Sequence, residues 1–152
     1  MKPRIILVLV GALPLPVGYL TNHLIMTVWF EIFPAGWYWF TVLFFLSLWF
    51  VVGMASVKWI DSKIEALLYL NAIAGVFFML IFFQEIVLGR FGLGWVGISS
   101  QFYFLPLSLL PSRLLRFIPF VPIQFTYISL VAFGCQLLAS YYGRRIGEGR
   151  TV

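Results

Sequence analysis

The chain has 152 residues, 62% hydrophobic and 10% charged, with a formal net charge of +5. A water-soluble domain carries about 25% charged residues, and a fold this short has too little interior to hide so much apolar surface from water. Composition therefore excludes a soluble globular protein, and length excludes a separate soluble domain beside several membrane spans.

The chain opens on Met1-Lys2-Pro3-Arg4 and then runs apolar from Ile5 to Phe30, with no charge apart from one that His23 can carry. A basic start before an apolar stretch is also how a signal peptide begins. No small-x-small cleavage pattern follows the first segment, so an uncleaved first span over 5–30 is expected. Pro14 and Pro16 lie inside it and predict a kink, tolerable in a membrane if neighbouring groups satisfy the freed carbonyls. Glu31 to Gly36 reads as a turn. Residues 37–57 are 21 uncharged residues, close to the roughly 20 that cross about 30 Å of hydrocarbon. Trp37, Tyr38 and Trp39 mark one interface and Trp59 the other.

Lys58 to Glu65 is the most charged loop, and its shortness predicts that the second and third spans are antiparallel neighbours. The third span is expected over 66–87, with Asn71 as its strongly polar member and Glu85 near its end. Residues 91–112 are uncharged yet rich in Gly, Ser and Pro, which reads as a loop turning into a short interfacial or re-entrant helix over 102–117. Arg113 and Arg116 share a face there. The last span is expected over 119–142, started by Pro119 and Pro122, before a short basic tail from Gly143. The fold class is thus an all-α membrane protein: one integral domain over 1–152, a four-transmembrane-helix bundle with an interfacial or re-entrant segment before the last helix.

Four spans with the N-terminus inside place Lys2, Arg4, Lys58, Lys63, Arg144, Arg145 and Arg150 in the cytoplasm and Arg90, Arg113 and Arg116 outside, seven against three. A fifth span through 91–112 would turn the doubly basic tail outward, so four spans fit the positive-inside rule better. The expected location is a cell membrane, of the bacterial cytoplasmic type, with both termini inside. The basic residues fall in loops and tails, where they meet lipid; the bilayer is the expected partner, with another membrane protein or a second copy beside it, and nucleic acid is not expected.

Four residues stand as candidates for a ligand or ion pathway. On the third span, Asn71, Gly75, Phe78, Phe82 and Glu85 fall within about 40° of one helical face, and an ionisable group at membrane depth invites a functional reading. On the last span, Gln136 shares a face with Ser129 and Ser140, a pattern that usually marks helix packing. His23 is the single histidine; Glu31 is its nearest acid in sequence, and it has no second ligand at metal spacing. Cys135 is the lone cysteine and reads as a packing residue. No metalloprotease, nucleophile-elbow or phosphate-loop pattern is present, and no metal or cofactor is expected. The reading from sequence is a non-enzymatic accessory, regulatory or immunity-type membrane protein acting through helix contacts; the alternative is a small oligomeric transporter or channel with a polar pathway near Asn71, Glu85 and Gln136.

Overall fold

The structure, a computed structural model, describes residues 2–27, 35–89, 94–115 and 124–149. Every regular element among them is helical. Four stretches are long and apolar enough to cross a membrane: Pro3–His23, Trp39–Lys58, Lys63–Val87 and Phe125–Gly149. The protein is an all-α, four-helix membrane protein, and the boundaries show where the sequence misleads.

The first span is two helices, α1 (Lys2–Ala12) and α2 (Pro14–Thr27). Pro14 and Pro16 have no N–H to return to the preceding turn, and the helix breaks at Leu13, whose own N–H reaches back three residues to Val10 O at 3.1 Å. The expected kink is present, and so is its repair: the Tyr103 hydroxyl donates to Gly11 O at 2.7 Å.

Helix α3 (Ala35–Ala55) ends in a 3-10 turn over Ser56–Lys58. Helix α4 (Lys63–Phe82) starts at Ser62, whose Oγ accepts from Glu65 N at 3.3 Å in the S-x-x-E capping arrangement. It closes with a π turn over Phe83–Val87, in which Leu88 N reaches Phe83 O at 3.0 Å. Gly89, at φ +59°, then leaves the helix in the left-handed conformation glycine allows.

The Gly- and Ser-rich stretch read as a loop is helical from Gly94. Helix α5 (Gly94–Phe104), a 3-10 turn (Leu105–Leu107) and α6 (Leu109–Leu115) follow one another between α4 and the last helix. Eleven residues of α5 reach about 16 Å, too short to cross. Its small residues serve close approach: Gly97 and Ser100 are buried, and Gly18 of α2 lies directly against the Phe102 carbonyl. The serines satisfy themselves, Ser99 on Trp95 O and Ser100 on Gly97 O, both at 2.7 Å. Helix α5 packs against α2 and α4, and the 3-10 turn at its tip against α2 and α3. Thr41 of α3 donates to Pro106 O at 3.0 Å to hold that tip.

Helix α7 (Phe125–Gly149) starts later than expected and runs through the supposed tail. Pro119 and Pro122 lie outside the described residues. Gly143, Arg144 and Gly147 are buried, so this stretch is part of the bundle. The pairing order also departs from the short-loop expectation. Helices α3 and α4 are antiparallel but touch lightly; α3 packs chiefly on α7, α7 also on α4, and α4 on α1. The physical reason is glycine. Gly53 meets the Ser140 backbone, Gly143 the Phe50 backbone and Gly147 the Met54 backbone, which draws the parallel pair α3–α7 into backbone contact, the arrangement by which small residues drive membrane helix association. Phe45, Trp49, Leu70, Ile81, Tyr103 and Phe104 fill the core between them.

Candidate functional site

Helix α7 carries a polar face turned into the bundle over nearly its whole length. Thr126, Ser129, Gln136, Ser140 and Arg144 are all buried, and the 18 residue steps from the first to the last span about 27 Å. The sequence candidates from α4 meet this face, and most of its groups are bound.

At one end stands Glu85. Its Oε1 accepts from Phe125 N at 3.2 Å and its Oε2 from Thr126 N at 2.6 Å, with the Thr126 hydroxyl donating to the same oxygen. The first N–H groups of a helix lack partners of their own and carry its positive dipole end, so the carboxylate caps α7 from a different helix. At 100° per residue Glu85 belongs to the face of Asn71, which also meets α7, and it lies within the π turn at Phe83–Val87. Arg90, its other possible partner by sequence, lies outside the described residues. Glu85→Gln is therefore expected to lose about 1–2 kcal/mol of stability, since the charge-assisted half of the cap goes; a gain, measured as a raised unfolding midpoint in nanodiscs, would show instead that the carboxylate is held at a cost.

Asn71 is the meeting point of three spans. Its Oδ1 accepts from Trp49 Nε1 of α3 at 3.0 Å, and its Nδ2 donates to Leu67 O at 3.0 Å and to Ser140 Oγ of α7 at 3.1 Å. Ser140 in turn donates to its own helix, on Gln136 O and Leu137 O. Every strong hydrogen-bonding direction of the Asn71 amide but one is used, and these bonds tie α3, α4 and α7.

At the other end is Arg144, which sequence reasoning assigned to a solvated tail. It is 1% exposed. Nη1 donates to Ser56 O and Ser56 Oγ at 3.3 and 3.2 Å, Nη2 to Ile60 O and Asp61 O at 2.8 Å each, and Nε to Glu148 Oε1 at 3.0 Å. The fork closes the carbonyls left open where α3 ends and the chain turns toward α4. The spacing Arg144-x-x-x-Glu148 and the paired Gly143 and Gly147 were the signals that could have found it. Further ion pairs gather at this end, Arg4 with Glu65 at 2.6 Å and Lys63 with Glu148 at 3.8 Å, while Lys63 sits 4.1 Å from the Tyr141 ring centre.

Gln136, in the middle, is fully buried, and neither Oε1 nor Nε2 has a hydrogen-bond partner among the described residues. His23 is apart from the others: it is exposed on α2, which packs on α5 and its tip, and Glu31 lies outside the described residues. Among the described residues no group of three His, Cys, Asp or Glu is placed to hold a metal ion. The structure thus joins Asn71, Glu85 and Gln136 along one helix, adds Arg144, Tyr103 and Trp49, and leaves His23 aside.

A second feature is on the outside. An apolar groove of about 1020 Å³ runs along α4 from Ile64 to Val87, with Phe133 and Leu137 of α7 as its other wall. Its floor is small at mid-length, where Ala72 and Gly75 lie, and Leu68 and Met79 beside them are each 65% exposed. Compared with family models, with curated proteins and with solved structures, the chain matches none.

Proposed function

We propose that this small integral membrane protein is non-enzymatic and works through helix contacts inside the bilayer, as an accessory, regulatory or immunity-type partner of another membrane protein or of a second copy of itself. The observation that carries this is the α4 groove: about 35 Å of helix, the full depth of the hydrocarbon, presents an apolar surface with its smallest side chains at the centre, the shape that lets a second helix backbone come close. The polar candidates support the same reading, because Glu85 and Asn71 spend their bonds on holding helices together.

A Cβ on Gly75 would meet only Phe133 Cζ at 3.8 Å, an ordinary contact. Gly75→Leu is therefore expected to leave the unfolding midpoint within about 0.5 kcal/mol of the unaltered protein while breaking association. The readout is the mass of polymer-excised native-membrane particles. Particles of unchanged composition in both Gly75→Leu and Ala72→Trp would sink the proposal.

One observation favours a second reading, an oligomeric transporter or channel: the polar face of α7 runs the length of the bundle past Asn71, Glu85 and Gln136. Proton- or ion-dependent flux that disappears in Glu85→Gln discriminates it.

The proposed setting is a bacterial cytoplasmic membrane with both termini inside. Support comes from the end bearing Arg4, Lys58, Lys63, Arg144 and Arg145, five cations against Asp61, Glu65 and Glu148, as the positive-inside rule requires. With Cys135 replaced by alanine, a cysteine at the exposed Lys58 should react with an impermeant maleimide only in inverted vesicles; reaction in intact cells would reverse the orientation.

A further inference from the structure

The α4 groove is apolar along its walls but not at its ends. The strongly polar side chain that lines it, Asn71, is already bound to Trp49, Leu67 and Ser140. Charge closes the end at Ile64. Lys63 precedes Ile64, and its Nζ lies 4.1 Å from the ring centre of Tyr141, one helical turn beyond the wall residue Leu137. Arg145 follows one turn further and is exposed. At the opposite end Glu85 is engaged with the start of α7.

The acids at the Ile64 end do not balance its cations. Glu148 is shared between Arg144 Nε at 3.0 Å and Lys63 Nζ at 3.8 Å. Arg4 and Glu65 neutralise each other. Among the described residues this leaves Lys58, Lys63, Arg144 and Arg145 against Asp61 and Glu148, an excess of two positive charges. A groove with apolar walls and a cationic mouth complements a molecule that is apolar along its length and anionic at one end. Basic pockets between membrane spans hold acidic lipid headgroups on this principle. Length agrees. From Ile64 to Gly75 is about 16 Å, half of the roughly 30 Å of hydrocarbon, so an acyl chain starting at the mouth ends where Ala72 and Gly75 form the floor. A second copy is less complementary, because copies inserted in the same sense bring cationic end to cationic end.

We propose that Lys63 and Arg145 hold the headgroup phosphate of one anionic phospholipid, with an acyl chain lying in the groove between α4 and α7. The Tyr141 ring keeps the Lys63 ammonium at the mouth. The lipid site stands on the groove and the charge balance alone. Its consequence rests on the helix-contact reading: the lipid is the occupant that a partner helix displaces, so association depends on the anionic lipid content of the membrane.

The test is native mass spectrometry of the full chain in detergent, titrated with phosphatidylglycerol and with phosphatidylcholine of the same acyl chains. The expected result is one phosphatidylglycerol per protein, held about tenfold or more tighter than phosphatidylcholine. Lys63→Gln and Arg145→Gln should each remove about fivefold of that preference and leave phosphatidylcholine binding unchanged. Lys58→Gln is the control for a diffuse field. Gly147 packs at Val57, which puts Lys58 toward a different face of α7 from Tyr141, and its removal should cost less than about twofold. Ala72→Trp fills the groove below an intact mouth and should release both lipids; Gly75→Leu serves if that variant does not fold. Equal affinity for the two lipids overturns the proposal, as does an equal loss at Lys58 or lipid binding untouched by the groove variants. Lipid binding is read on the isolated protein and association on native-membrane particles, so the two readings fail separately. No retained lipid, with association still broken by Gly75→Leu, would assign the groove to a helix alone.

Discussion

Arg144→Ala is expected to destabilise the bundle by about 3–5 kcal/mol, the range for removing one member of a buried charged network. Ser56 Oγ, Ile60 O and Asp61 O lose the guanidinium at once, while Ser56 O keeps its backbone donors Trp59 N and Ile60 N. Each buried acceptor left bare costs roughly 1–3 kcal/mol, less where water can follow, and the exposed Asp61 is where water enters first. The Glu148 pairing adds little, since that carboxylate is 40% exposed. Arg144→Lys should recover less than half of the loss, because one ammonium cannot reach two sets of carbonyls as a planar fork does. Arg145→Ala is the control. Arg145 is the next residue, equally charged and exposed, and its removal should stay within about 0.5 kcal/mol. Unfolding of all three variants in nanodiscs measures this; equal effects at 144 and 145 would mean that the guanidinium does not close the α3–α4 turn.

The second large effect is expected at Gly143. A Cβ there lands on the carbonyl of Phe50 and also meets its Cα at 3.0 Å. These are backbone atoms of a packed helix, so the only relief is for α3 and α7 to separate. Overpacking usually costs 1–3 kcal/mol. Separation also pulls the Gly53 and Gly147 contacts apart, so Gly143→Ala should lose about 3 kcal/mol. Gly134 sits on the same helix with nothing within 4 Å of an added Cβ. Gly134→Ala should be neutral or raise stability by up to about 1 kcal/mol through helix propensity. The pair isolates space from propensity, and a Gly143→Ala protein as stable as Gly134→Ala would remove the close α3–α7 approach.

The spans were legible because lipid demands long uncharged runs, and residues 37–57 meet that demand with nothing added. The kink was legible for an equally local reason, in Pro14 and Pro16. Helix pairing was not. In water a core face differs from a solvent face by polarity, whereas in lipid both are apolar: Leu43 and Phe44 are exposed on α3 while Phe45 and Trp49 are buried. What marks an interface is size, and Gly53, Gly143 and Gly147 carried that signal unread. Residues 94–104 were misread for a related reason. Gly and Ser punctuate loops in water, but in a bundle they thin a helix, as at Gly97 and Ser100. Asn71 and Glu85 were found as polar residues at depth sharing one face, but which helices supply their partners, α3 and α7, is set by packing that the sequence of α4 does not carry. Arg144 was lost by counting charge without asking where the helix stops.

The polar face of α7 has a consequence for biogenesis. Glu85 on α4, Asn71 between α3 and α4, and the carbonyls at residues 56–61 all belong to segments that a ribosome makes before α7, and each takes a partner from α7. While α7 is still in the exit tunnel, three inserted spans hold the Glu85 carboxylate and the Ile60 and Asp61 carbonyls without their α7 donors, and an Asn71 amide bound to Trp49 and Leu67 alone. That intermediate has reason to stay near the insertion machinery, and docking of the last helix is the event that frees the protein into the lipid. The chain is thus wired to assemble late and all at once, with its final helix serving as both wall and lock.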